Sequence, residues 1–422
     1  MILLSSILLM SCSVNSKLSR ELYNEDSARQ DFRGMVVYDL TREKELINYN
    51  GGKYFIPAST VKLFTFLTAY STLPDSVPSI EYLEKGDSLL IRGTADPLLL
   101  SGEPDEVVDF LKSWEGNVFL ADKSIDDSKY GPGWSWDDFA SSYMPERNIL
   151  PLYENRVTLS RKDSVVVKPG FFKEASLKEG SGGVSSSAMQ TYLDPNQNLF
   201  DGSKVAKGKE ISVPFITSNQ LAADLLGEAL EKKVTLVRDQ SSEDFKSLLI
   251  RPYDSLYARM LADSDNFIAE QVMLQVGRAV KDKYQVKAAI IYALDSLFPD
   301  IPQKPRWVDG SGLSRYNLFT PESMVYLLKK MHRQIPEEKL FALMAQGGVS
   351  GTLENHFKGV DGKPYVIAKS GTLSNNYCLS GFVKTSKGHL LAFSFMDNHY
   401  KGYSEQKKRE LESYLELLRD AN

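Results

Sequence analysis

The chain has 422 residues, too many for one ordinary core, so two or three domains are expected. Its 42% hydrophobic and 25% charged content is that of a soluble globular protein, and the net charge of -5 gives no basic surface for nucleic acid. Two cysteines, Cys12 and Cys378, exclude a disulfide framework and a cysteine-based zinc site, and the four histidines form no metal-ligating pattern. No metal or cofactor is expected.

At the N-terminus, Ile2 to Met10 form an apolar run too short to span a bilayer. A short apolar run followed by small residues reads as a secretory signal. "LMSC", Leu9 to Cys12, resembles the lipobox of bacterial lipoproteins, which would make Cys12 a lipidated first residue. A buried N-terminal strand is the alternative. No later segment is long and apolar enough to cross a membrane.

"GMVVYDL" (Gly34 to Leu40) and "ELINYN" (Glu45 to Asn50) read as a strand pair around a polar turn. The next segment, "PASTVKLFT", starts a helix that is apolar almost all round and therefore belongs inside a domain. It also carries Lys62, three residues after Ser59. A cation in a desolvated place is costly unless it is paired or loses its proton. Residues three apart share a helix face, so Lys62 can touch the Ser59 hydroxyl. Alternatively, Lys62 snorkels to water from an exposed flank. The pair decides nothing alone. A second S-x-x-K, Ser404 to Lys407, sits among charges and reads as an ordinary solvated helix.

From about Pro74 the pattern changes to short strands, "DSLLIRG", "GNVFLAD", "RVTLS" and "DSVVVKP", with one helix, "EPDEVVDFLKSW". "KEGSGGVSSS" is a Gly/Ser loop with no helix directly after it, so it is not a phosphate cradle. Helical periodicity returns at Thr217 to Lys233, at Asp254 to Val280 and at Thr320 to Gln334. Three strands, "YVIAKSGTL", "YCLSGFVKT" and "HLLAFSFMD", precede a final helix, "SEQKKRELESYLELLRD". Strands at both ends suggest one sheet built from the two termini, with the middle inserted.

Two further motifs join the first. "SDN", Ser264 to Asn266, falls at a break between helical stretches; a helix-capping pair is the bland reading. "KSGT", Lys369 to Thr372, lies on a predicted strand. S-x-x-K, S-D-N and K-T-G in this order form the set of β-lactamases and penicillin-binding proteins. With these motifs, and with "GTADPLL", "GPGWSWDD", "DSDNFIAE", "VDGSGLSRYN" and "GGVSGTL" in order, the chain resembles the low-molecular-mass class C penicillin-binding proteins. These are the D-alanyl-D-alanine carboxypeptidase/endopeptidase family of penicillin-recognising serine hydrolases. The match runs from about Gly34 to Asn398. Compact β-lactamases hold the first two motifs much closer together than Ser59 and Ser264 stand here.

The resemblance implies an α/β (α+β) fold, an antiparallel sheet flanked by helices, plus inserted small domains. The expected division is a signal segment over 1–18, a catalytic domain over 19–72 and 237–422, and an inserted region over 73–236 of two small mostly-β domains. Serine is a weak nucleophile and needs a base. Lys62 can be that base if a second cation, Lys369, and poor solvation favour its neutral amine. Ser264 can relay the proton to the leaving amine, and Asn266 can hold the substrate peptide. The N–H groups of Ser59 and Thr372 would form an oxyanion hole. Lys369, Ser370, Gly371 and Thr372 would receive the substrate's terminal carboxylate. By resemblance, Asp138 and Arg315, with Tyr143 nearby, would bind the zwitterionic end of the stem peptide's third residue.

The expected activity is that of a serine DD-peptidase on peptidoglycan stem peptides, inhibited by β-lactams. The alternatives are a β-lactamase and a non-catalytic wall-binding protein keeping the fold. The expected place is the periplasm, with the membrane touched only through a lipid anchor on Cys12.

Overall fold

A computed structural model describes residues 15, 18–20, 22, 30–102, 105–173, 192–194, 197–238 and 243–422. Cys12, the apolar run Ile2 to Met10 of the expected signal segment and the Gly/Ser loop from Lys178 to Ser187 lie outside the described residues. In chain order come β1 (Phe32–Asp39), β2 (Lys44–Tyr49), α1 (Lys62–Tyr70), β3 (Ser76–Lys85), β4 (Ser88–Gly93), α2 (Glu106–Ser113) and β5 (Asn117–Asp122). Then come β6 (Arg156–Arg161), β7 (Val165–Lys168), β8 (Tyr192–Asp194), β9 (Leu199–Phe200), β10 (Glu210–Pro214), α3 (Asn219–Leu230), β11 (Val234–Arg238) and β12 (Lys246–Pro252). The rest are α4 (Tyr253–Ala258), α5 (Asn266–Lys281), α6 (Val286–Tyr292), α7 (Pro321–Gln334), α8 (Glu337–Leu343), β13 (Ala345–Gln346), β14 (Val366–Leu373), β15 (Asn376–Lys384), β16 (Leu390–Asn398) and α9 (Ser404–Ala421).

The chain forms two compact units. One comprises the described residues up to Ser71, with Asp254–Ala269 and Ile290–Asn422. Its six-stranded sheet has the order β13-β14-β15-β16-β1-β2 and is antiparallel throughout. The N-terminal hairpin thus pairs with the last strand of the chain, as the two-termini reading expects. β15 and β16 are buried along nearly their whole length because helices cover both faces. One face carries Met35, Val37, Leu379, Phe393 and Phe395 against Leu411, Leu415 and Leu418 of α9. Those three leucines recur at helical spacing, and each contributes about 1.5–3 kcal/mol by burial. On β1 and β16 also packs α7, started by a capping box between Thr320 and Ser323 with Pro321 in its first turn.

α9 corrects one expectation. Lys407, read as solvated, is 11% exposed and paired with Asp31 and Asp397. Arg33, opposite Asp397 in the β1–β16 register, takes Asp397 at 2.5 Å and Glu410 of α9 at 2.6 Å. The sequence shows the charges of α9 but not the acids waiting on the sheet, so its inner end looked wet.

The second unit comprises Thr72–Tyr253 and Glu270–Ala289. Its main sheet has the order β11-β5-β4-β3-β12, with β5 parallel to both its neighbours and β3 antiparallel to both of its own. β12 begins beyond Leu236, the expected end of the inserted region, and pairs with β3. Asp105 caps α2 and Ser218 caps α3. β10, β6 and β7 form a three-stranded antiparallel sheet, and β8 pairs with β9. Among the described residues no helix is long and apolar enough to cross a membrane.

Candidate active site

The approach to Ser59 is fixed backbone by backbone. Phe55 exchanges two hydrogen bonds with Phe319. Ile56 donates its N–H to Asn398 Oδ1 at 2.7 Å, and Asn398 Nδ2 donates back to the Ile56 carbonyl at 3.2 Å. Ala58 then takes φ of 49°, a left-handed conformation that costs a non-glycine residue about 1–2 kcal/mol. Ser59 follows in a tight 3₁₀ turn, Ala58–Val61, that runs straight into α1. Two glycines permit this packing. A Cβ on Gly371 would stand 2.7 Å from the Pro57 oxygen and 2.9 Å from Ser59 N. A Cβ on Gly312 would stand 1.9 Å from the Ala58 oxygen. The strand bearing K-S-G-T therefore lies directly against the backbone of Ser59.

Lys62 is fully buried. Its Nζ lies 2.8 Å from Ser59 Oγ, 2.6 Å from Asn266 Oδ1 and 2.7 Å from the Ser311 carbonyl oxygen. As an ammonium it donates to all three. The two carbonyl-type oxygens can only accept, so a neutral amine gives them its two N–H bonds. The vertex left for the lone pair faces Ser59 Oγ, the partner that has a proton to give. This is the geometry of a base.

Lys369, on β14, is also fully buried and donates to the Ser370 carbonyl at 2.8 Å. Burial drives its amine well below the usual lysine range, and the charge of Lys62 adds to this, with Asp263 opposing. The repulsion between the two amines is mutual. Ser370 donates its hydroxyl to Thr352 Oγ1 at 2.7 Å, and Thr372 is exposed near the end of the same strand.

The S-D-N turn follows a π-helical turn, Arg259–Asp263, and puts Ser264 at φ of 66°. The middle residue does the capping: Asp265 Oδ1 accepts from the Ile268 N–H at 3.0 Å, and its other oxygen pairs with Arg259 at 3.1 Å. The capping alternative for Ser264 and Asn266 is thus taken by Asp265, and Asn266 turns its amide oxygen to Lys62. Gly351, at φ of 60°, abuts the Ala262 carbonyl, where a Cβ would stand at 2.4 Å.

In the second unit, Tyr143 donates its hydroxyl to Asp138 Oδ1 at 2.7 Å. Arg147 anchors the segment that carries them: it is buried and takes Glu270 at 2.5 Å with both side chains almost wholly covered. Arg315 is exposed in the first unit. Cys378 is a buried strand residue whose thiol reaches the Ile56 carbonyl at 3.4 Å, and burial pushes its pKa far up. The partners that sequence reasoning missed are backbone groups and their supports: the Ser311 carbonyl, Asn398 and Thr352. Carbonyls carry no residue signature, although Ser311 and Thr352 lie in segments that already stood out.

The model of the D-Ala-D-Ala carboxypeptidase 3 (S13) family matches residues 14–420. The chain is 25% identical over 423 residues to D-alanyl-D-alanine carboxypeptidase DacB of Haemophilus influenzae, covering 89% of this chain and 87% of the relative. It is 25% identical to a D-alanyl-D-alanine carboxypeptidase of Actinomadura sp. (strain R39), covering 87% and 78%. Among solved structures it resembles penicillin binding protein 4 (dacB) from Haemophilus influenzae, with a TM-score of 0.73, 21% identity, and 92% and 95% of the two chains covered. The same protein has been solved with a novel β-lactam, at a TM-score of 0.67, 21% identity, and 93% and 95% of the two chains covered.

Proposed function

This chain belongs to the D-Ala-D-Ala carboxypeptidase 3 (S13) family, and from that premise we propose how its residues work. It is a serine-type D-Ala-D-Ala carboxypeptidase/endopeptidase, a penicillin-binding hydrolase of the cell wall. Ser59 is the nucleophile. Its Oγ attacks the carbonyl of the scissile peptide while Lys62 Nζ takes the hydroxyl proton. The N–H groups of Ser59 and Thr372 stabilise the oxyanion. Ser264 passes the proton to the leaving amine, the C–N bond breaks, and an acyl-serine remains. Asn266 holds both Lys62 and the substrate's amide. Water, giving its proton to the same base, then attacks the ester and frees Ser59.

Lys369, Ser370 and Thr372 bind the terminal carboxylate, with Gly371 allowing the strand to come close. Asp138, oriented by Tyr143, and Arg315 select the zwitterionic end of the stem peptide, an ammonium facing an acid and a carboxylate facing an arginine. One observation carries the reading: Lys62 Nζ stands 2.8 Å from Ser59 Oγ and also faces Asn266 Oδ1 and the Ser311 carbonyl, two oxygens that can only accept. Digestion of purified muropeptides, read by mass spectrometry, tests it. Loss of one alanine mass from pentapeptides, or resolution of cross-linked dimers, is expected. Unaltered muropeptides would refute it.

"LMSC" supports export to the periplasm and lipidation of Cys12. One acyl chain gives only marginal membrane binding, so stable anchoring implies several on Cys12. Cys12→Ala should move the protein to the soluble fraction; unchanged membrane association would refute the anchor.

A further inference from the structure

The loop that offers its carbonyl to Lys62 is built around one buried carboxylate. Asp309 is fully buried. Its Oδ1 accepts from the Gly312 N–H at 2.9 Å and from Asn317 Nδ2 at 2.7 Å. Its Oδ2 accepts from the Ser314 N–H at 2.6 Å, with the Ser311 hydroxyl at 3.5 Å. Asn317 Oδ1 accepts from the Val308 N–H at 2.8 Å and closes the ring.

This cage presents two successive carbonyls to α1. The Gly310 carbonyl accepts from Thr65 Oγ1 at 2.6 Å, and the Ser311 carbonyl accepts from Lys62 Nζ at 2.7 Å. The next residue, Gly312, is the one that abuts the Ala58 carbonyl. A lysine amine is a rotor about its last C–N bond. With Asn266 as its only acceptor, one N–H is fixed and the lone pair can sweep away from Ser59. A second fixed acceptor stops that rotation.

We infer that Asp309 is a positioning residue for acylation, acting through the Ser311 carbonyl to aim the Lys62 lone pair at Ser59 Oγ. This rests on the reading of Lys62 as the base. Asp309 touches no reacting atom; it sets where the acceptor stands. In Asp309→Asn an amide N–H would face the Ser314 N–H, donor against donor, and the turn must shift.

The test separates the reversible binding constant of a penicillin from its acylation rate constant, using the full chain. Asp309→Asn should lower acylation about a hundredfold, the scale of a misplacement of about 1 Å, with the binding constant within about twofold. Asn317→Ser, which removes one strut and keeps the carboxylate, should show the same split to a smaller degree and decides the matter if Asp309→Asn does not fold. In a Lys62→Ala background, Asp309→Asn should add less than about a twofold loss, because its route of action is gone. Wild-type acylation in the folded variants, a loss confined to binding, or an undiminished loss in the Lys62→Ala background would each overturn the inference alone. A wild-type chain that no penicillin acylates would overturn the function and the inference together.

Discussion

Lys407 Nζ lies 3.2 Å from the buried carboxylate of Asp397, whereas Lys62 Nζ lies against Ser59 Oγ, although both lysines sit in an S-x-x-K. Breaking a buried pair costs about 3–5 kcal/mol when the charge left behind has no other partner, and because Asp397 keeps Arg33 the low end of that range applies. Lys407→Ala should therefore lower stability by roughly 3 kcal/mol, while Ser404→Ala stays within about 0.5 kcal/mol. Penicillin labelling of the folded protein should be unchanged in both. Denaturant melts beside labelling assays check this; a neutral Lys407→Ala would mean the ion cluster is not formed.

Lys369 carries the opposite sign. Burial and then the charge of Lys62 depress its folded-state pKa, so between that value and about 10.4 the unfolded chain binds more protons than the folded one. Stability held back by this group returns as pH rises through that window. Lys369→Met should therefore be at least as stable as the parent at pH 7, with an advantage that shrinks toward pH 10, while turnover collapses. Thermal melts across that range test it. A variant whose relative stability rises with pH would show the shift to have the other sign.

Asp138 is expected to act on substrate selection alone. Asp138→Ala should raise KM for stem peptides about tenfold or more, the scale of a lost charge-assisted contact, and leave a simple acyl-D-Ala-D-Ala ester nearly unaffected. Tyr143→Phe, which removes the hydroxyl donated to Asp138 at 2.7 Å, should do the same more weakly. Equal losses on both substrates would mark the pair as structural.

The sheet was legible because its strands are long, apolar and local in pattern, and the three motifs fell where a helix start, a helical break and a strand were predicted. β3 and β12 were not read. β3 carries Pro78 and β12 is an exposed edge strand, so neither shows clean alternation, and their pairing spans most of the second unit. The solvated reading of Lys407 failed because one of its acids, Asp31, is remote in sequence, and the other, Asp397, lies on the sheet and reaches α9 only through the fold. Ser59, Lys62 and Asn266 could be read from residue types. The Ser311 carbonyl could not, since any residue supplies one; only the aspartate and glycines around it hint that the turn is held in one shape. Asp265 caps where Ser264 or Asn266 looked able to, while Ser264 stands in the left-handed region and Asn266 gives its amide oxygen to Lys62.

The central claim is that Ser59 is acylated with Lys62 as its base, and one measurement bears on it most directly: labelling with a tagged penicillin followed by peptide mapping. A β-lactam mimics the D-Ala-D-Ala end, and its opened ring stays attached, so the label should persist on the single peptide containing "PASTVKLFT". Ser59→Ala should abolish it. Lys62→Ala should slow it by several orders of magnitude, and the double variant should lose little more, since groups that act as a unit are non-additive. Label that survives in Ser59→Ala, or that maps to another peptide, would contradict the account.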